Sequence, residues 1–191
     1  MMYSFEYQGK LYDAIYADPP WSYNNKNTGG SVSKGTGNNS GAESKYPTMT
    51  TEEIANIPIH KIAKPNCCLF MWAVTPLLPE AFYVMKKWGF TYKTTAYWYK
   101  TGRLGMGFWF RGDVEPLLVG IRGDIKAFGL QISNLIKADP REHSRKPDEV
   151  YRIIESIGFK DKIEMFARER RQGWDTFGNE TPSSTQRTLG E

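Results

Sequence analysis

Leu11-Tyr12-Asp13-Ala14-Ile15-Tyr16-Ala17, followed at once by Asp18-Pro19-Pro20-Trp21, is the stretch on which the fold turns. Residues 11–17 are apolar, aromatic and β-branched, which is the composition of a buried strand. Two successive prolines cannot continue a hydrogen-bonded ladder, so 18–21 leave the strand end as a loop. Residues 22–45 (SYNNKNTGGSVSKGTGNNSGAESK) hold almost nothing to bury and read as a long mobile loop beside the strand end. Thr50 and Glu53 have capping-box spacing and predict a helix to about residue 57. A second buried strand is expected over 67–74, then a helix over 77–88 with Gly89 as its stop. A third strand is expected over 90–100. A fourth, over 115–121, is weakened at its start by Pro116.

Pro147 opens the clearest helix, at its first helical position, with Asp148 and Glu149 in the first turn. Val150, Ile153, Ile154 and Ile157 recur at helical spacing and Gly158 ends the element. A last strand is expected over 163–167, and the final dozen residues read as a frayed polar tail. Strands alternating with helices predict an α/β sheet with helices on its faces, and such sheets bind ligands beyond the strand ends. A single domain over 1–180 is expected, with 181–191 as the tail.

The chain has 191 residues, 40% apolar and 24% charged, as expected for a globular domain with a real core. Its longest unbroken apolar run, at 67–74, is eight residues, where a membrane-spanning helix needs about 20. No basic segment followed by an apolar one opens the sequence, so no signal peptide is read. The two cysteines, Cys67 and Cys68, are adjacent within that apolar run and read as core. They build neither a disulfide framework nor a zinc site, so no metal is expected and a cytoplasmic setting is the default.

The net charge of +4 is unevenly spread. Residues 84–126 carry eight basic and three acidic groups, whereas 127–191 carry eleven of each. The same middle third holds Trp88, Tyr92, Tyr97, Trp98, Tyr99, Phe108, Trp109 and Phe110. Cations neutralise phosphates and aromatic faces stack on unpaired bases. The plainer reading, a solvated basic face beside core aromatics, is favoured on charge alone.

Asp18-Pro19-Pro20-Trp21 suits one difficult reaction, methylation of a nucleobase's exocyclic amine. That nitrogen is a poor nucleophile because its lone pair is delocalised into the ring. Holding both N–H bonds with acceptors frees the lone pair to point at an electrophile. The Asp18 carboxylate is one acceptor and the Pro19 carbonyl, its direction set by the proline rings, is the other. Trp21 would clamp the base by stacking. A fixed carboxylate also meets the charge that grows on nitrogen.

The chain resembles the S-adenosylmethionine-dependent adenine N(6)-methyltransferases that carry an Asp-Pro-Pro-Trp motif. This is the family of the catalytic subunit of the messenger-RNA adenosine methyltransferase, in its short bacterial and phage branch. The likeness runs from about Leu11 to Glu180 and is carried by order and spacing. After the tetrapeptide come Tyr-Pro-Thr-Met at 46–49, Cys-Leu-Phe-Met-Trp at 68–72, Trp-Gly-Phe at 88–90 and Trp-Tyr-Lys at 98–100. Gly-Met-Gly-Phe-Trp-Phe-Arg at 105–111, Glu-Pro-Leu-Leu-Val-Gly at 115–120 and Glu-His-Ser-Arg-Lys-Pro-Asp-Glu at 142–149 follow. Glu-Met-Phe-Ala-Arg at 164–168 and Gly-Trp-Asp-Thr-Phe-Gly-Asn-Glu at 173–180 complete the set.

The resemblance implies a Rossmann-like class I methyltransferase sheet whose catalytic motif precedes the cofactor half. It implies Asp18, Pro19, Pro20 and Trp21 as catalytic residues and S-adenosylmethionine as cofactor. Asp18, Lys146, Phe166, Arg168, Asn179 and Glu180 would bind that cofactor, with Lys146 on its carboxylate and Asn179 and Glu180 on its ribose hydroxyls. Tyr46, Trp98, Lys100, Trp109, Arg111 and Glu115 would line the substrate side, which turns the basic, aromatic middle third into a nucleic-acid surface. Residues 22–45 become a lid over the bound base. The Phe-x-Gly-x-Gly cofactor loop of many DNA amino-methyltransferases is missing, and Gly105-Met106-Gly107 lies on the substrate side instead. The short branch favours DNA as the substrate. RNA, and a silent nucleic-acid-binding partner subunit, remain alternatives, and a homodimer or heterodimer is compatible with the sequence.

Overall fold

The structure is a computed structural model that describes residues 9–22, 48–102, 105, 109–141 and 145–178. The proposed lid, Tyr46, His143, Asn179, Glu180 and the tail after them lie outside the described residues, apart from Ser22. Among the described residues, seven strands form one mixed sheet. They are β1 (Tyr12–Ala17), β2 (Ala63–Trp72), β3 (Thr91–Lys100), β4 (Val114–Arg122), β5 (Leu135–Ala138), β6 (Lys162–Met165) and β7 (Asp175–Phe177). Among the described residues three α-helices accompany them: α1 (Thr51–Ala55), α2 (Leu78–Lys87) and α3 (Asp148–Ser156). The spatial order is β5-β3-β4-β2-β1-β6-β7. Only β4 runs against its neighbours, pairing antiparallel with β2 and β3.

Side chains alternate across the sheet, and the alternation sorts the core into two layers. Ile15, Ala17, Cys67, Leu69 and Met71 face one side, where Ile54 of α1 and Ala81, Val84 and Met85 of α2 cover them. Ala14, Tyr16, Cys68, Phe70 and Trp72 face the other, covered by Val150, Tyr151 and Ile154 of α3. With both faces covered, the central strands are apolar over Ala14–Ala17 and Cys67–Trp72, which is why those stretches read as buried runs. The adjacent cysteines point to opposite layers and are fully buried. Burial pushes the Cys67 thiol up to about 12, so it is packing and not a nucleophile.

The capping box at Thr50 and Glu53 is present in full, and Gly89 and Gly158 take positive φ after α2 and α3. Pro147 is the cap of α3, with ψ of 142°, and Asp148 is the first helical residue. The expected placement of the proline inside the helix is therefore one residue late. β2 starts earlier than expected, at Ala63, and ends at Trp72, because Ala73 donates instead to the Pro116 carbonyl at 3.0 Å and Thr75 opens a 3-10 turn. Pro116 does not end β4; it sits at the rim, where its carbonyl takes that bond. β5 and β7 have no counterpart in the sequence reading. Each is a short edge strand whose structure comes from one neighbour: Ile136 opposite Trp98, and Thr176 opposite Glu164.

β7 is held close to the chain leaving β6. Ala167 donates to the Phe177 carbonyl at 3.0 Å, and a side chain on Gly178 would collide with the Ala167 backbone. Gly178→Ala is expected to destabilise the fold by about 1–3 kcal/mol, read as a lower melting temperature in thermal denaturation.

Candidate active site

β1, β2, β3, β5, β6 and β7 run in one direction, so their carboxyl ends share one edge with the start of antiparallel β4. That edge collects Asp18 after β1, Trp72 at the end of β2, Lys100 at the end of β3, Glu115 at the start of β4 and Phe166 after β6. From β1 the chain moves to β2 on one side, and β6 returns on the other. The crevice between β1 and β6 is thus a topological switch point. A cleft lies there, lined by Asp18, Lys146, Tyr151, Glu164, Phe166 and Arg168.

The tetrapeptide is pinned on both flanks. Asp18 donates its backbone N–H to the Met165 carbonyl at 3.4 Å. Met49 donates to the Pro20 carbonyl at 2.8 Å and accepts from Ser22 at 2.9 Å, closing a bridge to Trp21. This assigns a task to the end of the Tyr-Pro-Thr-Met stretch. The Pro19 carbonyl accepts from the Trp21 N–H at 2.9 Å, which leaves its second lone pair for another donor.

Lys146 is the electrostatic centre of the site. Its Nζ lies 3.0 Å from Asp18 Oδ1, 3.3 Å from Glu115 Oε2 and 5.3 Å from the centre of the Trp72 ring. Burial pulls its pKa down, but the two carboxylates outweigh it and the net shift is upward, so the cation is secure. Glu115 is the mirror case. Burial raises it, Lys146 and then Lys100 lower it further, and it stays ionised. Lys100 also bonds Glu115 directly and lies 5.1 Å over the Trp98 ring.

Trp72 braces this cluster from below, donating to the Tyr16 hydroxyl at 2.6 Å while its carbonyl accepts from Trp21 Nε1 at 3.1 Å. Behind the cleft, the Tyr151 hydroxyl donates to Glu164 Oε1 at 2.8 Å, while Oε2 of Glu164 is buried without a hydrogen-bond partner among the described residues. Burial, with Asp18 nearby, pushes the Glu164 carboxyl up to about 7, against the Tyr151 bond that lowers it. A carboxyl raised on folding contributes stability at low pH that is lost as pH rises through its folded pKa. Glu164→Gln should therefore lose less melting temperature than the wild-type chain between pH 6 and pH 8, by about 3 °C or more. Parallel melting curves would show no such gap if the carboxyl ionised normally.

The expected site residues divide by placement. Asp18, Lys146, Phe166 and Arg168 share the cleft, and Lys100 and Glu115 adjoin it through Lys146. Lys146 meets Asp18 and Glu115 here, a pairing the sequence reading did not contain. Trp21 is 7% exposed and anchors the loop, so its ring offers no open face for stacking in this state. Trp98, at 2% exposure, is core: it packs edge-on to Trp72 and donates to the Ala138 carbonyl. Trp109, at 92%, and Phe110 stand open beside exposed Arg111 on the β3–β4 connection. The middle third is thus core at Trp88 and Trp98 and open surface at Trp109 and Phe110. Glu164, Tyr151 and Trp72 were not singled out by sequence. The one signal was an acid flanked by Ile163 and Met165 in β6, which alternation alone would turn to solvent.

This sheet, with an acid and a cation at its switch point, has the architecture of a nucleotide-cofactor methyltransferase. The family model described as MT-A70 matches residues 12–180, and the chain belongs to that family, an enzyme of the S-adenosylmethionine-dependent adenine N(6)-methyltransferase class. It is 33% identical over 189 residues to the Type II methyltransferase M.MunI of Mycoplasma sp, covering 92% of this chain and 80% of that protein. It is 27% identical over 177 residues to the human N(6)-adenosine-methyltransferase catalytic subunit METTL3, covering 87% of this chain and 27% of that protein. The Arabidopsis thaliana N(6)-adenosine-methyltransferase MT-A70-like protein is likewise 27% identical, over 88% of this chain and 24% of its own length. The chain thus spans about a quarter of these eukaryotic relatives. No helix among the described residues is long and apolar enough to cross a membrane.

Proposed function

We propose that the protein transfers a methyl group from S-adenosylmethionine to the N(6) amine of adenine in DNA, acting as a single domain over 1–180. The observation that carries the reading is Asp18 at the carboxyl end of β1, in one cleft with Lys146 and Phe166. The cleft suits a ligand bearing both charges: Lys146 and Arg168 offer cationic groups, Asp18 and Glu164 anionic ones, and one buried oxygen of Glu164 has no hydrogen-bond partner among the described residues. S-adenosylmethionine, when bound, supplies an electrophilic methyl group on a positively charged sulfur.

Asp18 and the Pro19 carbonyl accept the two N–H bonds of the adenine amine and turn its lone pair out of the ring plane. With the methyl donor in place the nitrogen would form the new N–C bond as the methyl–sulfur bond breaks and its electron pair stays on sulfur, and the Asp18 carboxylate balances the positive charge that grows on nitrogen. The surplus proton then leaves through Asp18 to water. Lys146 sets the direction of Asp18 and, with Phe166, Arg168, Asn179 and Glu180, holds the cofactor. Glu115 and Lys100 present polar groups to the base, and Tyr46, Trp109 and Arg111 serve the flanking strand. Buried Trp21 and Trp98 act by bracing that edge. Likeness to a Type II methyltransferase over most of both chains favours DNA over RNA.

Methylation of DNA and RNA oligomers of matched sequence, side by side, tests the substrate. Label is expected in the DNA. Label in RNA alone would transfer the same chemistry to the alternative substrate, and the absence of cofactor binding would favour a silent partner subunit.

A further inference from the structure

Glu164 has a placement that the transfer reaction does not require. It points from β6 toward α3, 7% exposed, between neighbours Ile163 and Met165 that belong to the opposite core layer. One oxygen takes the Tyr151 hydroxyl, and the other is buried with no hydrogen-bond partner among the described residues, while Glu164 is one of the residues that line the cleft. The other two acids there are already matched, Asp18 by Lys146 at 3.0 Å and Glu169 by Arg145 at 3.2 Å. A buried acid with an unmet oxygen is costly unless something positive or hydrogen-bonding arrives.

We propose that Glu164 is a charge-discriminating wall of the cofactor cleft, favouring the cationic sulfonium cofactor over its neutral thioether product. The inference rests on the cofactor reading above and goes beyond it. The substrate cofactor carries one more positive charge than S-adenosylhomocysteine, so a buried carboxylate in the cleft's lining separates the two where shape cannot. The consequence is functional: product leaves and fresh cofactor enters.

The carboxyl's setting also couples this preference to protons. The groups around it are Tyr151 of α3, Tyr16 of β1, Asp18 after β1, and Arg171 and Glu169 beyond β6, with Lys146, Arg145 and Arg168 on the cleft. The carboxyl sits at about 7, so near neutral pH it is partly protonated. A cation favours the carboxylate and expels that proton. Affinity for the sulfonium form therefore rises as pH climbs through this range, and affinity for the thioether does not.

Isothermal titration calorimetry of the full chain tests this, with S-adenosylmethionine and S-adenosylhomocysteine in two buffers of different ionisation enthalpy between pH 6 and pH 7.5. Wild-type protein should release a fraction of a proton with S-adenosylmethionine and far less with S-adenosylhomocysteine. Glu164→Gln should abolish that release and weaken S-adenosylmethionine by about tenfold, leaving S-adenosylhomocysteine within about twofold. Tyr151→Phe removes the bond that lowers the carboxyl, so its linkage midpoint should move to higher pH; this variant carries the test if Glu164→Gln does not fold. An unchanged ligand preference and proton release in Glu164→Gln, or an unmoved midpoint in Tyr151→Phe, would overturn the proposal. Wild-type protein that binds neither ligand would instead overturn the cofactor reading, and the inference with it.

Discussion

Asp18→Ala is expected to lower methyl transfer by about a thousandfold or more while the fold stays intact. The size follows from what is lost. One of two acceptors holding the amine disappears, and with it the fixed negative charge facing the nitrogen. Removing a single preorganised electrostatic partner costs on the order of 10²–10³ in rate, and here the same group also orients the nucleophile. The fold survives because Lys146 keeps its contact with Glu115 and its place over Trp72. Circular dichroism and melting should match wild type to within a few degrees. Full activity in a folded Asp18→Ala variant would contradict the proposed chemistry.

Lys146→Met is expected to act on stability as well as on rate. Lys146 stands between Asp18 and Glu115, and its side chain is mostly buried. Removing one member of a buried charge cluster leaves its partners uncompensated and costs about 3 kcal/mol or more. For a chain of this size that lowers the melting temperature by roughly 6–12 °C. Lys100 still bonds Glu115, so the loss stops short of global unfolding. The pH dependence has a definite sign. Glu115 is held below its ordinary value, so its contribution is present above that value and fades as pH falls through the lowered one. Without Lys146 the lowering shrinks, and acid unfolding should begin at a higher pH. Methyl transfer should fall as well, because Asp18 loses the contact that sets its direction. Equal melting temperatures for variant and wild type would show that the cluster is not coupled as described.

The elements legible in sequence are those whose local chemistry agrees with their place in the sheet. Ala14 to Ala17 is buried on both faces, so nothing there masks a strand. Asp18-Pro19-Pro20 can only leave a strand. Thr50 with Glu53, and Gly158 after Ile157, are local devices that work the same way in any fold. β5 and β7 were not legible because edge strands of four and three residues take their form from the neighbour they pair with. Trp21 and Trp98 illustrate a different limit: an aromatic ring looks the same in sequence whether it stacks on a ligand or braces a loop. Their indole N–H bonds to the Trp72 and Ala138 carbonyls exist only after the sheet has formed. Lys146 was visible as a site residue by family likeness, but its partners Asp18 and Glu115 lie 128 and 31 positions away in the chain. Glu164 was hidden by its strand, where alternation predicts an outward acid and the covering helix α3 turns that face into core.

The proposed reaction turns on two acceptors and one amine. A crystal structure of the protein with S-adenosylhomocysteine and an adenine-containing oligonucleotide tests it most directly. The adenine N(6) atom is predicted to lie within hydrogen-bonding distance of an Asp18 carboxylate oxygen and of the Pro19 carbonyl, facing the sulfur across the crevice between β1 and β6. An adenine amine bound away from both oxygens, with Asp18 still held on Lys146, would contradict it.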